Sequence, residues 1–237
     1  MKKQLVALGL IVVSLATGMA LAESGGPTIS PDEALLKLLD GNKQFVENKL
    51  TNYSRCDTAV RAALANSQKP YAIVLSCSDS RVPPEIIFDK ALGEIFVVRV
   101  AGNIPDPVVL GSIEYAAEHL GSQLIMVLGH ERCGAVKATV ESKGKSTGSK
   151  NIDAIVKTVA TSVNAASKNC AACRGNAKCA ENKTGEFVEC LVDANAKRVA
   201  ASLTERSPIL KHLAEEKKIK IVAAKYDLDD GLVTLLK

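Results

Sequence analysis

The chain has few of the features that nucleic-acid-binding and membrane proteins show. Trp is absent and only four Tyr and four Phe occur in 237 residues, too few for a platform on which bases stack. The formal net charge is +4, but no run of Lys and Arg is long enough for a nucleic-acid footprint. After residue 15, no apolar stretch is long enough to cross a bilayer. The composition, 47% hydrophobic and 24% charged, predicts a globular protein with a sizeable core.

The N-terminus has the pattern of a secretory signal. A positively charged start precedes an apolar run at residues 5–15, and the A-L-A sequence at residues 20–22 supplies a cleavage site. An uncleaved membrane anchor is the alternative, but the run is short for a span and contains a serine. We therefore expect a signal peptide at residues 1–22 and one α/β domain at residues 23–237. The mature protein would have no membrane span and would lie in the periplasm or outside the cell.

Apolar runs and helical stretches alternate along most of the chain, which indicates the α/β class. The runs do not alternate with polar residues, as is typical of strands buried on both faces of a parallel sheet. They lie at residues 71–76, 95–100, 124–128 and 218–224. Helices are predicted at residues 108–120 and 190–203, with an N-terminal helical arm that begins at Ser30 and Pro31.

Residues 142–190 interrupt this order. The segment is rich in Ser, Lys, Gly and Asn at first, and it contains four of the seven cysteines. We interpret it as a surface insertion with little core of its own.

Three residues at predicted strand ends have metal-ligand chemistry. Cys77 follows the first strand, and His130 and Cys133 follow the third. The carboxyl ends of parallel strands meet at one edge of a sheet, where ligand sites form. Two thiolates and one imidazole suit zinc, and three protein ligands that leave one position for water are typical of a catalytic site. Buried apolar cysteines or a disulfide between Cys77 and Cys133 are the alternatives at this point.

Asp79 and Arg81 lie two residues apart in an extended segment and therefore face the same side. A carboxylate paired with a guanidinium stays ionised and fixed in direction. Such a group can accept a hydrogen bond from water held at a metal. The alternative is a surface ion pair of little energetic value.

The sequence at these positions resembles the β-class carbonic anhydrases. Two separate motifs match in order, C-S-D-S-R-V-P-P-E at residues 77–85 and G-H-E-R-C-G-A-V at residues 129–136. Further similar segments lie at residues 41–45, 96–99, 101–103, 112–116 and 207–210. The resemblance covers roughly residues 30–140 and 190–237. The cysteine-rich segment is outside it.

The resemblance implies one zinc ion per chain on Cys77, His130 and Cys133, with Asp79 and Arg81 as the catalytic pair. In some family members the matching Asp is itself a fourth zinc ligand in an inactive state, so Asp79 is also a candidate ligand.

The resemblance also implies substrate-binding roles for Gln68, Phe96 and Tyr115, with Tyr115 supplied by a partner subunit. The expected fold is a parallel sheet with an added edge strand, flanked by helices, and the expected assembly is a homodimer or a dimer-based oligomer. The sequence departs from the family at Glu131, where Ser or Thr is frequent, and at Val100, where Asn is common.

The reaction that the resemblance implies is the reversible hydration of carbon dioxide to bicarbonate and a proton. The exposed histidines expected at His119 and His212 are candidate proton shuttles, although a solvated surface role suits each of them as well. A hydrolase of carbon disulfide or carbonyl sulfide would use the same ligands and stays open. A non-catalytic zinc or thiol protein is disfavoured, because a closed structural site needs no Asp79–Arg81 pair.

The four clustered cysteines are Cys170, Cys173, Cys179 and Cys190. In an exported chain we expect them to form two disulfides, and three pairings are open. A second zinc site is the alternative. Cys56 is left as a free thiol or an intermolecular partner.

Overall fold

The protein is described from a computed structural model that covers residues 29–171 and 184–237. The strands are β1 (Ala72–Ser76), β2 (Ile95–Arg99), β3 (Leu124–His130), β4 (Lys220–Tyr226) and β5 (Val233–Leu235). The helices are α1 (Pro31–Val46), α2 (Thr58–Leu64), α3 (Pro84–Ile87), α4 (Pro107–Glu118), α5 (Gly134–Ser142), α6 (Lys150–Ala160), α7 (Val163–Asn169), α8 (Thr184–Arg206) and α9 (Pro208–Glu215). A 3₁₀ turn covers Ala101–Asn103. The predicted signal peptide lies outside the described residues.

The strands form one sheet in the order β2-β1-β3-β4-β5. The first four are parallel, and β5 pairs antiparallel with β4 at the edge. The predicted class, a parallel α/β sheet with an added edge strand, is therefore confirmed. No helix among the described residues is both long and apolar enough to cross a membrane.

Both faces of the sheet are covered, which explains why the apolar residues of the central strands β1 and β3 face both sides. Alternate residues of β1 and β3 point to opposite faces. On one face they pack against α1 and the segment around α3, and on the other against α4, α8 and α9. All seven residues of β3 are buried. The sheet therefore gives a rigid base to the residues that follow its carboxyl ends.

The N-terminal arm is a single helix whose start has the predicted cap. The Ser30 side chain accepts a hydrogen bond from the Glu33 amide, and the Glu33 carboxylate accepts one from the Ser30 amide. Position 41 within α1 requires glycine, because a Cβ there would stand 1.8 Å from the carbonyl oxygen of Phe88. The glycine therefore allows the arm to lie directly on the chain after α3.

Asn42, next along the arm, joins three parts of the chain. Its side-chain amide donates to the carbonyls of Ile87 and Gly231 at 3.3 and 2.8 Å, and its oxygen accepts from the amide of Val233 at 2.8 Å. The side chain is 2% exposed. These bonds fix α1 to α3 and to the edge strand.

The structure differs from the sequence-based expectation for residues 142–190. Helices α6 and α7 and the start of α8 do not lie loosely on the surface, because their apolar side chains form a third core cluster together with Cys77 and Cys133. Residues 152, 155, 156 and 159 recur at helical spacing, a signal that the polar composition of the segment obscures. Helix α8 also begins at residue 184 rather than near 190, because Phe187 and Val188 are buried in the same cluster.

We predict that Asn42→Ala lowers the free energy of unfolding by about 2 kcal/mol or more, because it leaves buried main-chain groups without partners. Urea denaturation would measure the change. Lys43→Ala is the matched control, since its side chain is exposed and its loss should cost less than about 0.5 kcal/mol. Equal stability of the two variants would contradict the role assigned to Asn42.

Candidate metal centre

The three predicted ligands meet at the carboxyl edge of the sheet. Cys77 directly follows β1, His130 ends β3, and Cys133 immediately precedes α5. β1 and β3 are adjacent and parallel, so their ends bring the side chains together. The two sulfurs and an imidazole nitrogen lie within 4.8 Å of one another, and all three residues are buried. A tetrahedral zinc ion with bonds of about 2.3 Å to sulfur and about 2.1 Å to nitrogen fits such a group.

The ring of His130 is oriented for metal binding. Its Nδ1 lies 2.8 Å from the carbonyl oxygen of Glu131. A carbonyl only accepts, so Nδ1 carries the hydrogen and Nε2 presents its lone pair. Nε2 is fully buried and has no hydrogen-bond partner among the described residues. A buried polar atom without a partner is costly, and a metal ion on Nε2 would remove that cost.

The two thiols also favour a cation. Without one, a hydrogen bond from Cys133, assisted by the amide of Gly102 at 3.4 Å, holds the pKa of Cys77 below its usual range. The hydrogen bond to Cys77, together with burial, holds the pKa of the Cys133 thiol above its usual range. The opposite shifts show that two adjacent thiolates are disfavoured here. A divalent ion between the sulfurs would offset their repulsion and allow both thiolates.

Asp79 and Arg81 form the predicted pair at this site. Arg81 Nε and Nη2 donate to the two carboxylate oxygens at 2.9 and 2.8 Å, and the Arg81 amide donates at 3.0 Å. These bonds hold the pKa of Asp79 well below its usual range. Asp79 Oδ2 lies 3.9 Å from His130 Nε2, beside the three ligands but outside the group of mutually close donors. The carboxylate is therefore ionised, fixed and adjacent to the group of three ligands.

Arg99 supports this segment and was not singled out by the sequence. It ends β2 opposite Ser76, and its guanidinium donates to the carbonyls of Cys77 and Asp79 at 3.0 and 2.6 Å. The available signal was an arginine at the end of an apolar run, at the same edge of the sheet as the ligands. Arg99 thus fixes the main chain on both sides of Ser78.

The short loop between the second and third ligands is held by residues far along the chain. The amide of Glu131 donates to the carbonyl of Tyr226 at 3.1 Å. The amide of Arg132 donates to Glu189 at 2.8 Å, and its guanidinium donates to Asp229 at 2.8 and 3.0 Å. These partners could not be predicted from the sequence, because they lie 57 to 97 residues from Arg132. They fix the loop against β4 and α8.

Glu131, Asp227 and Asp229 form a second group of close carboxylates. Burial and the charges of Asp227 and Glu189 raise the pKa of Glu131. Asp229 is paired with Arg132, so the group is an ion-pair network beside the metal centre. Glu131 therefore departs from the family at a position whose carboxylate lies close to those of Asp227 and Asp229.

The structure does not bring Gln68, Phe96 and Tyr115 to the three ligands within one chain. Phe96 is half-buried and packs on the sheet face covered by α4. Gln68 and Tyr115 are exposed and line one surface depression, which contains none of the ligands. The substrate-binding roles of these residues stay predictions, as does the supply of Tyr115 by a partner subunit.

The two histidines outside the metal centre are surface residues. His119 Nε2 lies 3.6 Å from a Glu118 carboxylate oxygen, and His212 Nε2 lies 3.4 Å from one of Glu216. Both side chains are largely exposed. Val100, the other departure from the family, is half-buried between two apolar clusters.

One disulfide joins Cys170 to Cys190, across 20 residues of sequence. It links the end of α7 to α8, and Cys56, Cys77 and Cys133 are free. One of the two expected disulfides is therefore present. Cys173 and Cys179 lie outside the described residues, and their pairing stays a prediction.

The fold and the site define an α/β protein with a buried Cys-His-Cys group that could hold a metal ion and an ionised carboxylate beside it. A sequence model described as carbonic anhydrase matches residues 72–233. Carbonic anhydrase 2 of Mycobacterium tuberculosis is 36% identical over 210 residues, which cover 88% of this chain and 94% of the relative. A carbonic anhydrase of Mycolicibacterium smegmatis is 49% identical over 116 residues, 49% of this chain and 56% of the relative.

Solved structures agree. The β-carbonic anhydrase CcaA superposes with a TM-score of 0.67 at 22% identity, covering 86% of this chain and 95% of that one. A Coccomyxa β-carbonic anhydrase in complex with acetazolamide gives a TM-score of 0.64 at 26% identity, and the superposition covers 85% of this chain and 86% of that one. The chain belongs to the carbonic anhydrase family, in its β class.

We predict that Asp79→Asn lowers carbonic anhydrase turnover by about 100-fold, because a neutral amide no longer pairs with Arg81 and loses its fixed direction. Metal content should not change, since the three ligands remain. Stopped-flow hydration assays and metal analysis would test both statements. Asp32→Asn, an exposed position paired with Lys220, is the control for charge. A crystal structure near neutral pH with an Asp79 oxygen bonded to the metal would instead show Asp79 to be a ligand.

Proposed function

We propose that the chain catalyses the reversible hydration of carbon dioxide to bicarbonate and a proton, with one zinc ion held by Cys77, His130 and Cys133. The observation that carries the proposal is the convergence of two buried sulfurs with the unpartnered, buried Nε2 of His130. When bound in such a site, zinc lowers the pKa of water to about 7 and so supplies a nucleophile at neutral pH.

The residues beside the ligands orient the reactants. Arg81 keeps Asp79 ionised, so the carboxylate accepts a hydrogen bond from the attacking water and directs an oxygen lone pair at the carbon atom. A carbon–oxygen bond forms, one electron pair of a C=O bond moves to oxygen, and the proton leaves to solvent. Because the pKa of Asp79 is held low, this carboxylate acts as a hydrogen-bond acceptor and not as the final proton carrier.

We further propose that Gln68, Phe96 and Tyr115 bind substrate in a homodimer or a dimer-based oligomer. Gln68 and Tyr115 share an exposed surface in the single chain, as residues that serve a partner's site would. A related structure is described as a tetrameric β-carbonic anhydrase, with a TM-score of 0.65 at 21% identity, which is a likeness of fold alone.

The zinc proposal is tested by metal analysis of the purified protein, which should contain about one zinc per chain. Cys77→Ser and His130→Ala should lose both zinc and carbon dioxide hydration, whereas Cys56→Ser should keep both, because Cys56 is exposed and remote from the group of ligands. The same preparation should sediment as a dimer or a larger assembly. Full activity in metal-free protein would refute the proposal, as would turnover of carbon disulfide or carbonyl sulfide with no turnover of carbon dioxide.

We also propose that the protein works in the periplasm or outside the cell. The proposal is supported by the secretory pattern of residues 1–22 and by the Cys170–Cys190 disulfide, which an oxidising compartment preserves. Mass mapping without reduction, on protein recovered from the producing cell, should find an N-terminal peptide that begins at Glu23. It should also find Cys170 linked to Cys190 and Cys173 to Cys179. A retained leader or four alkylatable thiols in the segment would contradict export.

A further inference from the structure

A buried polar side chain connects α8 to the metal centre. Asn195 is 2% exposed, and its Nδ2 donates to the carbonyl oxygen of Gly102 at 3.0 Å. The amide of the same glycine donates to Cys77 Sγ at 3.4 Å. A carbonyl only accepts, so the orientation of the Asn195 amide is fixed by chemistry. One residue, Gly102, is therefore held by Asn195 at its carbonyl and directed at a metal ligand by its amide.

Gly102 needs this support because its conformation is unusual. Its φ is +73°, in the left-handed region. A Cβ added there would stand 3.2 Å from Ala135 Cβ and 3.2 Å from Val159 Cγ2. Glycine has the widest conformational freedom of any residue, so contacts from outside must select this one conformation. The hydrogen bond from Asn195 supplies a directional contact of that kind.

The other end of Asn195 is also occupied. Its Oδ1 lies 3.3 Å from the hydroxyl of Ser162, which is 0% exposed and immediately precedes α7. Helix α8 is itself close to β3, since a Cβ on Gly129 would lie 3.1 Å from Val192 Cγ1. Asn195 is thus held through Ser162 at the start of α7, and it lies on a helix that packs against the strand that carries His130.

We infer that Asn195 is a positioning residue for the metal centre: it fixes the peptide of Gly102 so that the amide donates to the Cys77 thiolate. A hydrogen bond from an N–H group to a coordinating thiolate stabilises the negative charge of the sulfur. Loss of such a hydrogen bond to a metal ligand typically costs 10–100-fold in metal affinity or activity. The inference rests on the proposed Cys-His-Cys metal site. It adds to that site a contribution from residues 142–190 through Ser162.

The test uses the full mature chain with cobalt in place of zinc. Asn195→Asp keeps the size of the side chain and the contact to Ser162 but loses the donor to Gly102. Its sulfur-to-cobalt charge-transfer bands should shift, and its zinc dissociation constant, measured by chelator competition, should rise by about 10-fold or more. Ser162→Ala keeps the hydrogen bond that Asn195 donates to Gly102, so its charge-transfer bands and zinc dissociation constant should change less.

Ser202→Ala is the control for a purely structural effect. Ser202 is also buried on α8, but its hydroxyl bonds to the carbonyl of Val199 in the same helix. This variant should leave the cobalt bands and the zinc affinity unchanged. A wild-type spectrum and affinity in Asn195→Asp would overturn the inference. Failure of Cys77→Ser to lose metal would overturn the underlying site instead, so the two failures are distinguishable.

A measurement on the unaltered protein keeps the inference testable even if Asn195→Asp does not fold. With the NMR-active isotope of cadmium in the site, the amide proton of Gly102 should show scalar coupling to the metal through Cys77 Sγ. The Asn195 side-chain nitrogen should show coupling to the Gly102 carbonyl carbon. Absence of either coupling in folded, metal-loaded protein would overturn the relay from Asn195 to Cys77.

Discussion

The parallel pairing of β1 with β3 is the constraint on which the rest of the structure depends. Strand register places Ser76 beside Leu128, so Cys77 and His130 follow the last residues paired between β1 and β3 by one and two positions. A parallel pair requires a crossover connection, and here the crossover carries β2 and α4. The connection places α4 on one face of the sheet, and α1 covers the other, so β1 and β3 are apolar on both sides. The metal centre is thus a consequence of the same pairing that builds the core.

The sequence predicts this part of the molecule well because the signals are local. The four apolar runs correspond to β1 to β4, with ends that differ by no more than two residues. The ligands Cys77, His130 and Cys133 converge as expected, since strand ends of a parallel sheet share an edge. Asp79 and Arg81 pair as predicted because a two-residue spacing in an extended segment determines which side each side chain faces.

The remaining features depend on contacts that no local pattern reveals. Glu189 and Asp229 bond to Arg132 across 57 and 97 residues of sequence. The role of Arg99 depends on its register with Ser76, which pairing alone determines. The core contribution of residues 142–190 is missed because Ser, Lys and Asn dominate the composition, although the apolar residues recur at helical spacing. Several of those residues are buried because they pack against apolar side chains of α5 and α8, which are distant in sequence.

The hydrogen bond from His130 Nδ1 ends on a main-chain oxygen, that of Glu131. Every amino acid supplies the same carbonyl, so the tautomer of the ligand does not depend on which side chain follows it. Substitution at position 131 therefore leaves this hydrogen bond to the histidine available. This explains how a glutamate can stand where small hydroxyl residues are frequent, with its carboxylate recruited into a charge network that has no part in holding the ring.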